Sequence, residues 1–358
     1  MSQTAIFHYG SYELSLPNID TSLVRDYNDR LSDFLADKST YKIAIIEINY
    51  TKPELTRLQL HQLAVCNRVI VKSMEIDAAI LELITDFDRL NFTFVLNGFL
   101  NISLQHATVD SEIDWINSTA FPYQHEWQEH TQNRIHAFKT KDYMFDVLYG
   151  LEKPHRKFVK DQLQNTDPAW FYQSPFFLTG SGSRNFLNLN FDQTDLWEDE
   201  IEISDEWNYH CRYLSREMRI SQVLPFKVYN KTAYTVVLET WADNRYSFFT
   251  EKIVKPMLAC RLFVVISGQY YLRNLRNLGF RTFDGVIDES YDLEPDDHTR
   301  WIQAIAQAKF LCLKPQHEIL SQIAPIVLHN YRILSNLVYA KVNQHAETFL
   351  IQHGCYRT

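Results

Sequence analysis

Glu239, Thr240, Arg245, Glu251, Lys252 and Lys255 crowd into one stretch, VVLETWADNRYSFFTEKIVKPMLACRLFVVISG, between an apolar run at each end. Charges packed between two core-bound segments have two readings. They pair with one another on a solvated face, or they hold a charged ligand at the edge of a sheet. Thr250 suits a helix N-cap, with Glu251 at the first helical position, and both complement the helix dipole. Lys252 and Lys255 then oppose that dipole, at a cost on the order of 0.3–1 kcal/mol each. An anion such as a diphosphate, bound between helix N–H groups and ammonium heads, offsets the misfit. If Pro256 opens the helix instead, residues 250–255 form a loop around the ligand. Upstream, the KPHR sequence from Lys153 to Arg156 adds cationic donors before a helix. Arg156 could clamp a phosphate bidentately and His155 could hydrogen-bond it or move a proton, although His-Arg is also an ordinary helix start. Glu47, inside a strand-like run, reads as structural rather than as a catalytic base.

The elements that must position these residues alternate. YKIAIIEINY (41–50) is a β-branched strand, and KPELTRLQLHQLAV places Leu55, Leu58 and Leu63 at helical spacing after it. NRVIVKSM is a second strand, and EIDAAILELITDFDRLN sets Ile76, Ile80, Leu83, Ile84 and Phe87 on one helical stripe before a third strand, FTFVLNG. The polar, aromatic stretch 101–132 reads as connecting loops, HRKFVKDQLQ as a helix, and the acidic run within 183–208 as a solvated loop. Alternation resumes with YTVVLET, EKIVKPMLAC, RLFVVISG, YYLRNLRNLG and HTRWIQAIAQAKFL, and the tail 316–352 is helical, with Pro325 starting a new helix or kinking it. Strand-helix-strand order of this kind predicts parallel sheets with helical crossovers, which bind ligands at the carboxyl ends of their strands.

At 358 residues the chain exceeds the usual size of one core, so two domains are expected. A net charge of −9 argues against general nucleic-acid binding, although not against a local basic cleft. Five scattered cysteines without a C-x-x-C pair suit free thiols in a reducing compartment. No signal peptide and no apolar run near the ~20 residues of a membrane span is present, so the chain reads as cytoplasmic. Glycine-rich nucleotide loops, the zinc motif H-E-x-x-H and the nucleophile elbow G-x-S-x-G are all missing from the sequence.

The block ETWADNRYSFFTEKIVKPMLACRLFVVISGQYYLRNLRNLGFRTF resembles the donor-binding half of glycosyltransferases of the two-Rossmann (GT-B) type. It is most similar to phage- and virus-encoded glycosyltransferase-like proteins and, more distantly, to the α-1,3-fucosyltransferases. YMFDVLYGLEKPHRKFV is similar to a segment of the same viral group, so that the likeness spans residues 139–291 except for the acidic insertion. Arg261 and Leu262 depart from the Gly-x-Pro or Arg-Pro that often precedes the strand. The resemblance implies an α/β fold of two Rossmann-like domains facing each other across a cleft. An N-terminal acceptor domain (1–135) would precede a nucleotide-sugar domain (136–330), with a C-terminal helix (331–358) crossing back. It implies a metal-independent transferase, in the host cytoplasm if viral, that needs no cofactor beyond a nucleotide-diphosphate sugar as donor. The acceptor would be a glycan or a hydroxymethylated base in viral DNA. Glu251 would take the ribose hydroxyls and Lys252 the diphosphate, helped by Lys255 and Arg156, while Glu239 would face the sugar or nucleotide. A non-catalytic nucleotide or sugar binder on the same scaffold is the alternative.

Overall fold

The structure is a computed structural model, and it describes residues 3–9, 18–48, 53–73, 76–111, 136–148, 153–163, 166, 171–173, 201–203, 210–213, 216–219, 222–336 and 341–355. The chain divides into two compact units: Met1–Asp114 with Val338–Thr358, and Trp115–Leu337. Each is a mixed α/β unit built on a parallel sheet.

Unit 1 contains β1 (Thr4–Tyr9), β2 (Val24–Asp26), β3 (Tyr41–Ile48), β4 (Arg68–Ser73), β5 (Phe92–Leu96), the short β6 (Gly98–Leu100) and β7 (Thr108–Ser111). Its helices are α1 (Leu31–Ala36), α2 (Pro53–Leu63) and α3 (Ala78–Asp86). Six strands pair in the order β2-β1-β3-β4-β5-β7, and every pairing is parallel. The chain first steps from β1 to β2 and then back across β1 to β3, so the direction of winding reverses between β1 and β3. The expected stripe on α3 is buried throughout, from Ile76 to Phe87, and Asp77 caps the helix by accepting from the Ile80 N–H at 2.9 Å. Leu58 departs from expectation: it is 58% exposed, because the buried stripe of α2 runs through Leu60 and Leu63 and a two-residue offset is about 200° round the helix. The expected loop region 101–132 also supplies β7, the edge strand of the sheet.

Unit 2 contains β8 (Tyr143–Val147), α4 (Pro154–Leu163), β9 (Phe171–Gln173), β10 (Ile201–Ile203), β11 (His210–Tyr213), β12 (Arg216–Arg219), α5 (Phe226–Lys231), β13 (Thr232–Leu238), β14 (Tyr246–Phe248), α6 (Glu251–Leu258) and β15 (Phe263–Ile266). After these come α7 (Tyr271–Asn277), α8 (Asp297–Cys312) and α9 (Gln316–Leu334). Its four-stranded parallel sheet has the order β15-β13-β8-β9. β9 lies on one side of β8, and β13 and β15 on the other, so here too the winding reverses, between β8 and β13. Strands β10 to β12 form a separate antiparallel sheet. Most of the acidic run read as a loop lies outside the described residues. Gly279, at φ +92°, ends the α7 region as a C-terminal glycine should, and α9 continues through Pro325 without a break.

A buried ion pair fixes the base of this sheet. Arg261, just ahead of β15, reaches Asp146 of β8 at 2.6 Å. It also donates to the Thr232, Tyr234 and Tyr229 carbonyls at 2.6, 2.8 and 2.7 Å, and stacks over the Tyr229 ring. Arg261 is thus the cross-tie of three strands and α5.

Helix α10 (Lys341–Gln352) belongs to unit 1. Its Ala346 and Leu350, with Cys355 beyond it, close a core cluster with Ile6, Ile43, Ile45, Ile70 and Val95 on one face of the sheet. Cys355 Sγ lies 3.2 Å from Thr4 Oγ1 at the start of β1, and His345 Nε2 lies 3.0 Å from Asp110 Oδ2 near the end of β7. The helix therefore runs antiparallel to the strands. All five cysteines are free thiols, and among the described residues no helix is long and apolar enough to cross a membrane.

Candidate functional site

The winding reversal in unit 2 opens at the carboxyl ends of β8 and β13, where crossovers diverge to opposite faces of the sheet and leave a crevice. The segment after β8 delivers Lys153, His155 and Arg156 to this edge, and the segment after β13 delivers Glu239, Thr240 and Trp241. The next crossover delivers Thr250, Glu251, Lys252 and Lys255 at the start of α6.

Glu239 lies at the bottom and is fully buried. Its Oε1 accepts from Tyr271 Oη at 2.7 Å and from the Thr250 N–H at 3.3 Å. Its Oε2 accepts from Thr250 Oγ1 at 2.6 Å and from the Thr240 N–H at 3.1 Å. Four donors fill the roughly four lone-pair sites of a carboxylate. Glu239 is therefore positioned beneath the site as a brace for β13, α6 and α7, with no acceptor capacity left for a ligand. Burial raises its pKa, against the pull of Lys252, Thr250 and Tyr271.

His155 and Arg156 are equally deep, at 4% and 3% exposed. Both serve the same backbone: His155 Nε2 lies 2.9 Å from the Glu239 carbonyl, and Arg156 donates to that carbonyl at 3.1 Å. Burial, then the neighbouring Arg156, pushes His155 down to about 4, so the ring is neutral and its Nε2–H donates.

The outer layer is cationic. Helix α6 begins at Glu251 as the Thr250 cap predicts: Thr250 Oγ1 accepts from the Lys252 N–H at 3.3 Å. Lys252 Nζ reaches Glu251 Oε1 at 2.7 Å and Thr240 Oγ1 at 3.1 Å, and the Glu251 and Lys252 side chains stay 14% and 22% exposed. From the other strand of the crevice, Lys153 Nζ donates to the Thr240 carbonyl at 2.7 Å and sits 4.1 Å from the centre of the Trp241 ring. Burial pushes Glu251 up, but Lys252 and Lys255 outweigh it and hold the carboxyl below its usual range. Burial lowers half-buried Lys255 to about 8, with Glu251 opposing the shift. Four cationic side chains (Lys153, Arg156, Lys252 and Lys255) thus face two carboxylates (Glu239 and Glu251) at one sheet edge, in a chain of net charge −9.

Arg245 stands apart from this group. It is exposed, and its guanidinium turns back on Asp243 of its own turn, at 3.1 and 2.9 Å. The other sequence-derived residues, Glu239, Thr240, His155, Arg156, Glu251, Lys252 and Lys255, gather at the one edge. Lys153 and Trp241 join them: the K-P-H-R run signalled Lys153, and Trp241 was marked only by its place directly after Glu239 and Thr240.

Compared with models of known families, with curated proteins and with solved structures, the chain finds no match in any of the three.

Proposed function

We propose that this protein is a glycosyltransferase of the two-Rossmann type, in which unit 2 binds a nucleotide-diphosphate sugar and unit 1 serves the acceptor. The observation that carries this reading is the excess of cationic side chains around Glu239 and Thr240 at the winding reversal of unit 2, with Lys153 and Lys252 on Thr240 and Arg156 on the Glu239 carbonyl, where open parallel sheets bind their ligands. Cations fixed where a diphosphate leaving group gains charge stabilise the transition state by several kcal/mol when preorganised. Glu251, whose side chain stays 14% exposed, would accept hydrogen bonds from ribose hydroxyls. The same groups would serve a non-catalytic nucleotide or sugar binder, and slow hydrolysis of the donor by the purified protein distinguishes the enzyme from it.

The test is calorimetric titration with UDP-, GDP- and CMP-sugars. One diphosphate sugar should bind, and Lys252→Ala should weaken it by at least about tenfold, the scale of a charge-assisted hydrogen bond, without loss of the folded state. Absence of binding to the whole panel overturns the proposal.

A further inference from the structure

Helix α8 is apolar on two faces. Trp301, Ala304, Ile305, Ala308 and Leu311 are buried and fill its inner face. The outer face of a surface helix is ordinarily polar. Here it holds Ile302, Phe310 and Leu313, which stay 51%, 41% and 72% exposed, around an exposed Ala306. Leu313 keeps a helical backbone at the C-cap and so continues the line. Scattered exposed apolar side chains need no explanation, but three in one line along one helix form a patch.

The patch is symmetric about Ala306. Thr299 and Ile302 stand seven and four residues before it, Phe310 and Leu313 four and seven after it. All four lie within about 40° of its direction on the helix. Such spacing fits an antiparallel copy of the same helix. A two-fold axis at Ala306 sets Ile302 against Phe310 and Thr299 against Leu313, twice over, and the small alanine lets the two backbones approach. Charge agrees at the ends of the seam. Asp296, the N-cap, and Lys314, whose ammonium lies 4.7 Å from the centre of the Phe310 ring, are both exposed. Helical spacing puts them on one flank at opposite ends, each about 80° round from Ala306. An antiparallel two-fold turns that flank onto itself, so Asp296 of one copy meets Lys314 of the other. A surface pair of this kind adds little affinity but fixes the antiparallel sense. We propose that α8 is the self-association surface of this chain, pairing antiparallel with α8 of a second copy about a two-fold axis at Ala306. One helix face from each copy lies at the small end of specific interfaces, so the dimer is a weak one, with a dissociation constant on the order of micromolar.

Sedimentation velocity on the intact protein from about 1 to 100 µM, a range that brackets such a constant, should show monomer giving way to dimer. Ala306→Glu places a charge at the axis from both copies while leaving the buried face of the helix alone. It should stay monomeric at the top of the range, with the melting temperature of wild-type monomer. Ala306→Cys brings two thiols together at the axis, and mild oxidation should link the copies through a disulfide. Wild type, with its five native cysteines, and Gln307→Cys, one position further round the helix, should cross-link far less under the same conditions. A wild type that is monomeric throughout, a dimer that Ala306→Glu leaves intact, or equal cross-linking at positions 306 and 307 overturns the proposal.

Discussion

His155 shows how a single buried side chain sets the pH behaviour of unit 2. Its pKa is near 6.5 when the chain is unfolded and about 4 in the folded protein, because burial and Arg156 disfavour the imidazolium. A group with a depressed folded pKa contributes stability that is complete above its unfolded value. That contribution is lost as pH falls from about 6.5 through 4, here up to about 3 kcal/mol. Glu239 acts in the opposite sense: its raised pKa makes its contribution shrink as pH rises. Comparison of wild type with His155→Gln isolates the histidine, since the amide still donates to the Glu239 carbonyl. Melting temperatures between pH 7 and 4 should fall more steeply for wild type than for the variant. Parallel slopes would show that the ring is not held neutral by burial. At this scale the sequence exposed part of the site. The Thr250 cap and the misfit Lys252 are local signals, readable from five consecutive residues. The burial of Glu239 is not, because one of its donors, Tyr271, lies 32 residues further on. Nor is the Arg261–Asp146 tie, whose partners are 115 residues apart.

The elements of unit 2 meet closely where β15 turns into α7, and Gly268 is the joint. A Cβ placed there would lie 2.3 Å from the Asp243 carbonyl oxygen, a backbone atom with no rotamer to move. The turn carrying Asp243 is held to this joint by the Asn244 side chain, which accepts from the Gln269 N–H at 2.8 Å. Gly268→Ala must therefore displace one segment from the other, and a loss of about 1–3 kcal/mol, the usual cost of overpacking, is expected in thermal or urea unfolding. An unchanged stability would mean that the two segments are not packed as described. Legibility among the elements followed burial. β3, β4, β5 and β13 lie in the interior of parallel sheets, β15 at the end of its sheet is nonetheless buried along its length, and all five read as apolar runs. β7, with the sequence TVDS, is an edge strand with no fully buried residue, and β12, REMR, has no apolar run at all. Such strands are made by their neighbours rather than by their own composition.

Unit 1, as a whole, is closed by residues from both ends of the described chain. A chain stopped after residue 337 would lose Ala346, Leu350 and Cys355 from the core cluster and expose Ile6, Ile43, Ile45 and Ile70. All seven tryptophans lie at or beyond Trp115, within unit 2, so indole emission reports on that unit alone. The truncated protein should keep near-native tryptophan emission while the amides of β1, β3 and β4 lose most of their protection from hydrogen exchange. Retained protection in those strands would show that α10 is dispensable to the sheet.

That arrangement also orders events at the ribosome. The strands of the first sheet leave the exit tunnel early, yet the helix that covers one of their faces is made only after every residue of unit 2. At roughly 5–20 residues per second this leaves the isoleucine-rich face uncovered for some tens of seconds. The unit encoded first is therefore the one completed last, and during that interval a holding chaperone would find its surface.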